Sequence, residues 1–383
     1  MCRDQVPSGE VIGLIVGVPK EVKNWEGRVA ITPAGVRQMT ADGHTVVVET
    51  TAGEASAIPD EQYVAAGAEI AAAAEDVWTR AEMVLKVKEP VPDEYRYLRP
   101  GLVLFTYLHL ASSRELTDVV AASGCVAIGY ETVQLSDGSL PLLIPMSEVA
   151  GRLAVLDGNH YLSRYYKGRG TLLSGVPGVP PATVVIIGAG VVGQNAARMA
   201  VGVGADVKIL DNDARKLRYI DDVFHGNIIT YMSSRMAIED LCCQADLVIG
   251  AVLVPGAAAP KLVPEQVVAQ MNYGAVIVDV AVDQGGCVET VRPTTHSDPV
   301  YVLHDVIHYG VTNMPAAVPR TSTWALTNAT LKYACAIADK GWRKACRDSV
   351  ALKRGLQLVS GKCVYPAVAE TFGMEYTEPD AVL

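Results

Sequence analysis

A short apolar run, Val184 to Ile187, passes straight into Gly188-Ala189-Gly190-Val191-Val192-Gly193, and a helical pattern begins at once. This junction leaves the backbone few options. A β-branched run bounded by glycine is a buried strand. Gly188 permits a tight turn, Gly190 lets the backbone approach a ligand, and Gly193 lets the following helix pack against the strand. The helix then presents free N–H groups and a partial positive charge, which is a seat for phosphate. A glycine triplet alone is weak evidence. Here the next strand closes in Leu210-Asp211, at the spacing of about 20 residues where a carboxylate meets the ribose hydroxyls of a dinucleotide. Asp211 would repel a 2′-phosphate, so NAD is expected rather than NADP, with Lys216 and Arg218 weighing the other way. The alternative is a glycine-rich turn in an empty nucleotide fold.

Apolar runs alternate with helical stretches along most of the chain, as in β-α-β units with parallel sheets. The first set lies at residues 11–18, 45–49, 83–87, 102–108 and 126–130. A second follows at 184–187, 206–210, 228–231, 247–252, 275–280 and 311–312. Between them come a long helical stretch, 144–166, with an unusually aromatic end at 157–166, and a Gly/Pro-rich connection at 167–181. After Asn313-Met314-Pro315 the strands are expected to stop. Thr321-Ser322-Thr323 offers helix caps, and helix is expected to about Arg347. The fold class expected is α/β: two Rossmann-like doubly wound parallel-sheet domains separated by a cleft and joined by long helices. The first domain is discontinuous, 1–141 with 320–383, and the second covers 142–319.

With 383 residues, half of them apolar and 19% charged, the chain has ample material for two cores. Its formal net charge of -10 disfavours a nucleic-acid partner. No segment reaches the ~18 consecutive apolar residues of a membrane span, and 11–18 reads as a strand, not as a signal sequence. Residues 1–10 read as a loose leader. The eight cysteines include no C-x-x-C pair; reduced, mostly buried thiols and a cytoplasmic location are expected.

Ligands of parallel sheets bind beyond the carboxyl ends of strands. Arg28, Lys88 and His109 follow strands of the first set, and Asp283 follows a strand of the second. Each has a plainer reading. Arg28 is equally a solvated loop arginine. Lys86 and Lys88 share one face of their strand as read, and either is equally an exposed charge. For His109, in an apolar setting, a satisfied core histidine is the default, and Asp283, beside Gly285-Gly286, is more often a turn former. As a set they supply what oxidative deamination needs. A guanidinium binds a carboxylate bidentately, a cation polarises a carbonyl oxygen, and an imidazole titrates near neutrality. A carboxylate would assist proton transfer or stabilise an iminium.

These segments carry a resemblance. RVAITP from Arg28, LKVKEP from Leu85, Leu108-His109-Leu110, MSEVAGR from Met146 and DLVIGAVLVP from Asp246 are similar to the alanine dehydrogenases. So are DQGGC from Asp283, RPTT from Arg292 and Asn313-Met314-Pro315-Ala316. The resemblance covers residues 16–383. It implies reversible conversion of L-alanine, NAD and water to pyruvate, ammonium and NADH. It implies substrate binding by Arg28 and Lys88 and catalysis by His109 and Asp283. For NAD it implicates Ser147, Val191, Val192, Asp211, Lys216, Ser233, Val252, Leu253, Val280, Ala281, Val282, Asp283, Arg292, Val311, Thr312, Asn313 and Met314, beside Gly188, Gly190 and Gly193. A homohexamer is usual in the family. Residues 1–10 have no counterpart there. Some relatives bind a metal through Glu and His at the positions of Ala336 and Lys340 here, so no such metal site is expected. Tyr107, Tyr130, Leu143 and Met146 are expected to leave room for little more than a methyl side chain. The competing readings are a transhydrogenase-like NAD-binding subunit and a catalytically silent NAD sensor.

Overall fold

The computed structural model describes residues 13–252 and 259–383. The chain forms two compact units. One runs to Pro145 and resumes from Val318 to Leu383; the other is Met146–Ala317.

The first unit opens with β1 (Ile15–Val18), β2 (Thr45–Glu49), β3 (Glu69–Ala71), β4 (Met83–Leu85), β5 (Val103–Thr106) and β6 (Val126–Gly129). The second unit contributes β7 (Thr183–Ile187), β8 (Asp206–Asp211), β9 (Ile229–Met232), β10 (Leu247–Gly250), β11 (Val276–Asp279), β12 (Val300–Leu303) and β13 (Val306–Tyr309). The chain then returns to the first unit through β14 (Leu356–Val359) and β15 (Lys362–Cys363). The first sheet has the order β15-β14-β6-β5-β4-β1-β2-β3 and the second β12-β13-β11-β10-β7-β8-β9. Strands β1 to β6 pair in parallel, as do β7 to β11 with β13; β14, β15 and β12 are antiparallel additions at the edges.

Both sheets are doubly wound. In the first, the chain moves outward from β1 through β2 to β3, then restarts at β4 on the other side of β1. In the second it moves from β7 to β9 and restarts at β10, beside β7. The direction of winding thus reverses beside β1 and beside β7, and the crevice outside such a reversal is where open α/β sheets bind ligands. The central strands are buried on both faces, with β4, β5, β6, β10 and β11 covered throughout. This burial is why they read as uninterrupted apolar runs.

Several expectations need correction. Strands do not end near 315, because β14 pairs with β6 and adds β15 at the sheet edge. Residues 311–312 are not a strand: Val311 makes an isolated bridge to Thr294, while β13 and its hairpin partner β12 lie just before it. The helix Pro319–Asp348 starts at Pro319, ahead of the expected caps, and Gly341 (φ 72°) breaks its helical geometry. Thr323 lies within that helix, where its hydroxyl accepts from Val29 N at 3.1 Å and contacts Ser56 Oγ at 2.8 Å. The aromatic stretch 157–166 is not one helix. The helix Ile144–Tyr161 ends before a 3-10 turn, Arg164–Tyr166, and the His160, Tyr161 and Tyr166 rings cluster with centroids 4.2–5.4 Å apart.

Among the described residues, Cys125, Cys242, Cys287, Cys346 and Cys363 are buried free thiols, and Cys243 and Cys335 are partly exposed free thiols. Also among the described residues, no helix is long and apolar enough to cross a membrane.

Candidate active site

In the second unit, β7 enters the glycine turn with Gly188 at φ 106°. A Cβ on Gly193 would lie 1.8 Å from Gly188 O, so only glycine lets the helix Val191–Gly202 start this close to the turn. Around Gly190, which caps that helix without a side-chain bond, a Cβ would meet nothing within 4 Å. The free helix amides therefore face open space over a glycine backbone, the cradle a pyrophosphate requires. Asp211, at the end of β8, is buried. Its Oδ2 accepts from Ala189 N at 2.7 Å, its Oδ1 accepts from Asp213 N at 2.8 Å, and Lys216 Nζ lies 3.5 Å from Oδ2. The carboxylate ties the glycine turn to the next strand and retains lone pairs for two hydroxyls. Gly193→Ala is expected to weaken NADH binding about tenfold or more, a penalty of roughly 1.4 kcal/mol. A fluorescence titration measures it, and an unchanged Kd would refute the close-approach argument.

Most of the other cofactor residues expected of this unit fall on the loops beyond the strands. Val252 follows β10 and would touch a Cβ on Gly188. Ser233 follows β9 and donates its N–H to Asp211 O at 3.0 Å. Ser147 is half-buried on the helix Ile144–Tyr161. Arg292 is exposed and lies over the Tyr301 ring at 4.5 Å, with its backbone N–H donated to Tyr301 Oη at 2.9 Å. Val311 and Met314 are buried, Thr312 N donates to Thr294 O at 3.2 Å, and Asn313 (φ 62°) accepts from the His296 ring at 3.2 Å. Leu253 lies outside the described residues, as does the 1–10 leader.

Asp283 is an exposed residue of the 3-10 turn Val280–Gln284, with Ala281 and Val282 buried and Val280 half-buried beside it. The turn is organised by a different residue. Asp279 is buried; its Oδ1 accepts from Ala281 N and its Oδ2 from Val288 N, both at 3.0 Å. A Cβ on Gly286 would sit 2.7 Å from Asp279 Oδ2, which accounts for a glycine there. Asp279 is the turn former, and Asp283 is left to solvent.

In the first unit, the loop after β1 carries Arg28. It is not solvated: Arg28 is 2% exposed and forms a bidentate pair with buried Glu26, Nε–Oε1 at 2.7 Å and Nη2–Oε2 at 2.5 Å. Burial disfavours its charge, but the Glu26 carboxylate outweighs that and holds the guanidinium pKa above its ordinary value. Two lysines follow β4, and both lie beyond the strand, which ends at Leu85. Lys86 is fully buried, with Nζ 3.2 Å from Glu21 Oε2 and 2.8 Å from Glu94 Oε1. Lys88 is half-buried and lies 3.9 Å from Glu89 Oε2. Burial works against the Glu89 charge, yet Lys88, Lys23 and His109 together hold its pKa below the usual carboxylate range.

His109 follows β5 and is exposed, so the core-histidine alternative is excluded. Its backbone is left-handed (φ 48°, ψ 36°), a costly conformation for a residue with a side chain. Glu131 supports it: Oε1 accepts from His109 N at 2.8 Å, Oε2 accepts from Leu108 N at 3.1 Å, and Gln357 Nε2 donates to Oε1 at 2.8 Å. Tyr107 stacks on the His109 ring at 5.8 Å and meets Tyr130 edge-on at 5.1 Å. It also donates its hydroxyl to Leu142 O at 2.5 Å and interacts electrostatically with Arg28. Arg28, Lys88 and His109 thus belong to one connected set at the carboxyl ends of β1, β4 and β5. Its supports, Glu21, Glu26, Glu94, Glu131 and Gln357, were missed in the sequence. Glu26, two residues from Arg28, was the only one with a local signal.

A family model described as "Alanine dehydrogenase/PNT, N-terminal domain" matches residues 17–150, and "Alanine dehydrogenase/PNT, C-terminal domain" matches 154–366. The chain is 56% identical to an alanine dehydrogenase of Bacillus subtilis over 97% of this chain and 98% of that one. It is 55% identical to one of Mycolicibacterium smegmatis over 95% and 98%. A solved L-alanine dehydrogenase superposes with a TM-score of 0.91 at 52% identity, covering 94% of this chain and 99% of the other. A transhydrogenase from Sinorhizobium meliloti superposes with a TM-score of 0.78 at 25% identity, covering 92% and 99%. The chain belongs to the alanine dehydrogenase/PNT family.

Proposed function

We propose that this protein is an NAD-dependent L-alanine dehydrogenase, which converts L-alanine, NAD and water to pyruvate, ammonium and NADH and runs in reverse. The observation that carries the reading is full-length identity of 55–56% to alanine dehydrogenases, in a chain that keeps Arg28, Lys88 and His109 on adjacent strand ends. The transhydrogenase likeness is weaker, at 25% identity.

Bound NAD supplies the acceptor for the hydride leaving the alanine Cα. Gly188, Gly190, Gly193 and the amides of the helix Val191–Gly202 would hold its pyrophosphate, and Asp211 the adenosine ribose. Ser147, Lys216, Ser233, Val252, Arg292 and the segments 280–283 and 311–314 complete the proposed cofactor set. The chain's own residues then divide the work. Arg28, already aimed by Glu26, binds the substrate carboxylate; a planar fork suits that shape better than a point charge. Lys88 stands by the reacting oxygen, where a cation stabilises charge that develops as the carbonyl is attacked by ammonia or the imine by water. His109 passes protons to and from that oxygen and the attacking group. Its exposure leaves it open to a substrate. Asp283 is assigned a proton-transfer role from its own unit. We further propose a cytoplasmic homohexamer, as is usual for the family.

The test is NADH formation with L-amino acids at alkaline pH. Turnover is expected with alanine and little with leucine or glutamate, since Tyr130 packs edge-on against both Tyr107 and Phe105, which holds the aromatic wall in place. One methylene changes specificity by roughly 1–3 kcal/mol, so slow turnover of 2-aminobutyrate is expected as well. NADH bound without turnover of any amino acid would return the protein to the sensor reading.

A further inference from the structure

Buried ionic groups are retained where removing one member is costly, yet a buried ion pair is poor evidence for stability as such. The cluster of Glu21, Lys86 and Glu94 is therefore a puzzle if it serves only to hold the first unit together. Its three charged side chains are all at most 7% exposed and sit directly beneath the segment that presents Lys88.

The bonds from this cluster go mostly to backbone. Glu21 Oε1 accepts from Val87 N at 2.6 Å and from Lys88 N at 3.2 Å, while Oε2 faces Lys86 Nζ. Glu94 Oε1 accepts from Lys86 Nζ at 2.8 Å, and its Oε2 accepts from Val91 N at 3.0 Å. From the opposite side, Thr106 Oγ1 donates to Lys88 O at 3.0 Å, and Tyr107 N donates to Val87 O at 3.3 Å. Residues 86–91 lie just past β4, outside any helix or strand; the ladder to β5 persists only in two long bonds, Lys86 N to Phe105 O and Tyr107 N to Val87 O, both at 3.3 Å, and neither engages a Lys88 group. Their hydrogen bonds run to two carboxylates and to the strand end that leads into His109. Lys86 joins the two carboxylates, so their positions are coupled: neither can turn away without breaking a buried ion pair.

We propose that Glu21 is a positioning residue for Lys88, its carboxylate locked by Lys86 and Glu94 so that the Val87–Lys88 peptide is presented in one orientation to the substrate oxygen. The inference rests on the reading of Lys88 as a substrate residue. Glu21 touches no reacting atom; it acts through the lysine. The two neighbouring lysines then have opposite duties, with Lys86 spent on holding the scaffold and Lys88 left to the substrate. Misplacing a reacting group by about 1 Å costs on the order of 10²-fold, and the effect of losing Glu21 should be of that size.

The test is a double-mutant cycle on kcat/KM for pyruvate, built from Glu21→Gln, Lys88→Ala and the double variant. The KM for NADH and the melting temperature are followed in parallel. Glu21→Gln keeps the shape, but sets an amide N–H against Lys86 or turns its oxygen from the backbone. The expected result is a fall of about 10²-fold in kcat/KM for Glu21→Gln, little change in the KM for NADH, and no further loss when Glu21→Gln is added to Lys88→Ala. Additive losses would overturn the proposal, since Glu21 would then act independently of Lys88. A Lys88→Ala protein with full activity would instead overturn the assignment of Lys88, and the inference with it. If Glu21→Gln does not fold, Thr106→Val runs the same cycle. It removes the second hold on the Lys88 peptide with the ion cluster intact, and additivity with Lys88→Ala overturns the proposal there too.

Discussion

Replacing His109 by alanine is expected to lower kcat by about 10²–10⁴-fold while leaving NADH binding and the fold nearly untouched. The side chain is exposed, so its removal opens no cavity. Its backbone is held left-handed by Glu131 and Gln357 through main-chain and carboxylate bonds that alanine leaves in place. Alanine pays the same kind of left-handed cost the histidine already pays. The loss should therefore be chemical, not structural. Single-turnover reductive amination of pyruvate with ammonium and NADH, with a melt on the same sample, separates the two. A kcat within tenfold of the parent would remove His109 from proton transfer. A large drop in melting temperature would show that the side chain holds the left-handed turn, and the loss of kcat would then be structural.

Arg28→Met should fail in both respects. The guanidinium is the buried partner of Glu26, and breaking a buried pair by removing one member costs about 3–5 kcal/mol. For a unit of this size a kcal/mol moves Tm by roughly 2–4 °C, so a drop of about 10 °C is expected. The substrate carboxylate loses its bidentate partner at the same time, and kcat/KM for pyruvate should fall by at least about 10²-fold, with the KM for NADH unchanged. Arg28→Lys isolates the geometry. It keeps the charge, so much of the stability should return, but it cannot reproduce the fork, so the KM for pyruvate should stay high. A variant that melts early yet binds pyruvate normally would show Arg28 to be a structural cation only.

The alternation of apolar runs was legible because β4, β5, β6, β10 and β11 are covered on both faces. β13 is buried throughout but was misplaced at 311–312, because His308 and Tyr309 interrupt its apolar run; two other strands that escaped notice lack that signal. In β12, Leu303 and Val302 are exposed, and β3 begins with an exposed Glu69. β14 carries an apolar pattern, but it follows a long helical stretch and pairs with β6 more than two hundred residues earlier, a connection no local pattern can reveal. The glycine turn and Asp211 could be read because their spacing is fixed by short-range geometry. The same holds for Arg28, Lys88 and His109 at strand ends. Their states could not be read. Nothing local distinguishes buried Lys86 from half-buried Lys88, because the difference is made by Glu21, sixty-five residues before Lys86. Glu131 looks like any surface acid until the fold brings Gln357 and the amides of Leu108 and His109 to it.

The return of the chain to the first unit sets an order of assembly during synthesis. All of β7 to β13 leaves the ribosome before β14 does, so the second unit has its whole sequence in hand while the first still lacks a flank. Until residues 356–363 emerge, β6 is an open sheet edge, the feature that invites pairing with other chains. Glu131 meanwhile waits for the amide of Gln357. The support of His109 is thus among the last parts of the fold a nascent chain can finish, and premature termination before Gln357 would strike the reaction centre before it disturbed the nucleotide fold.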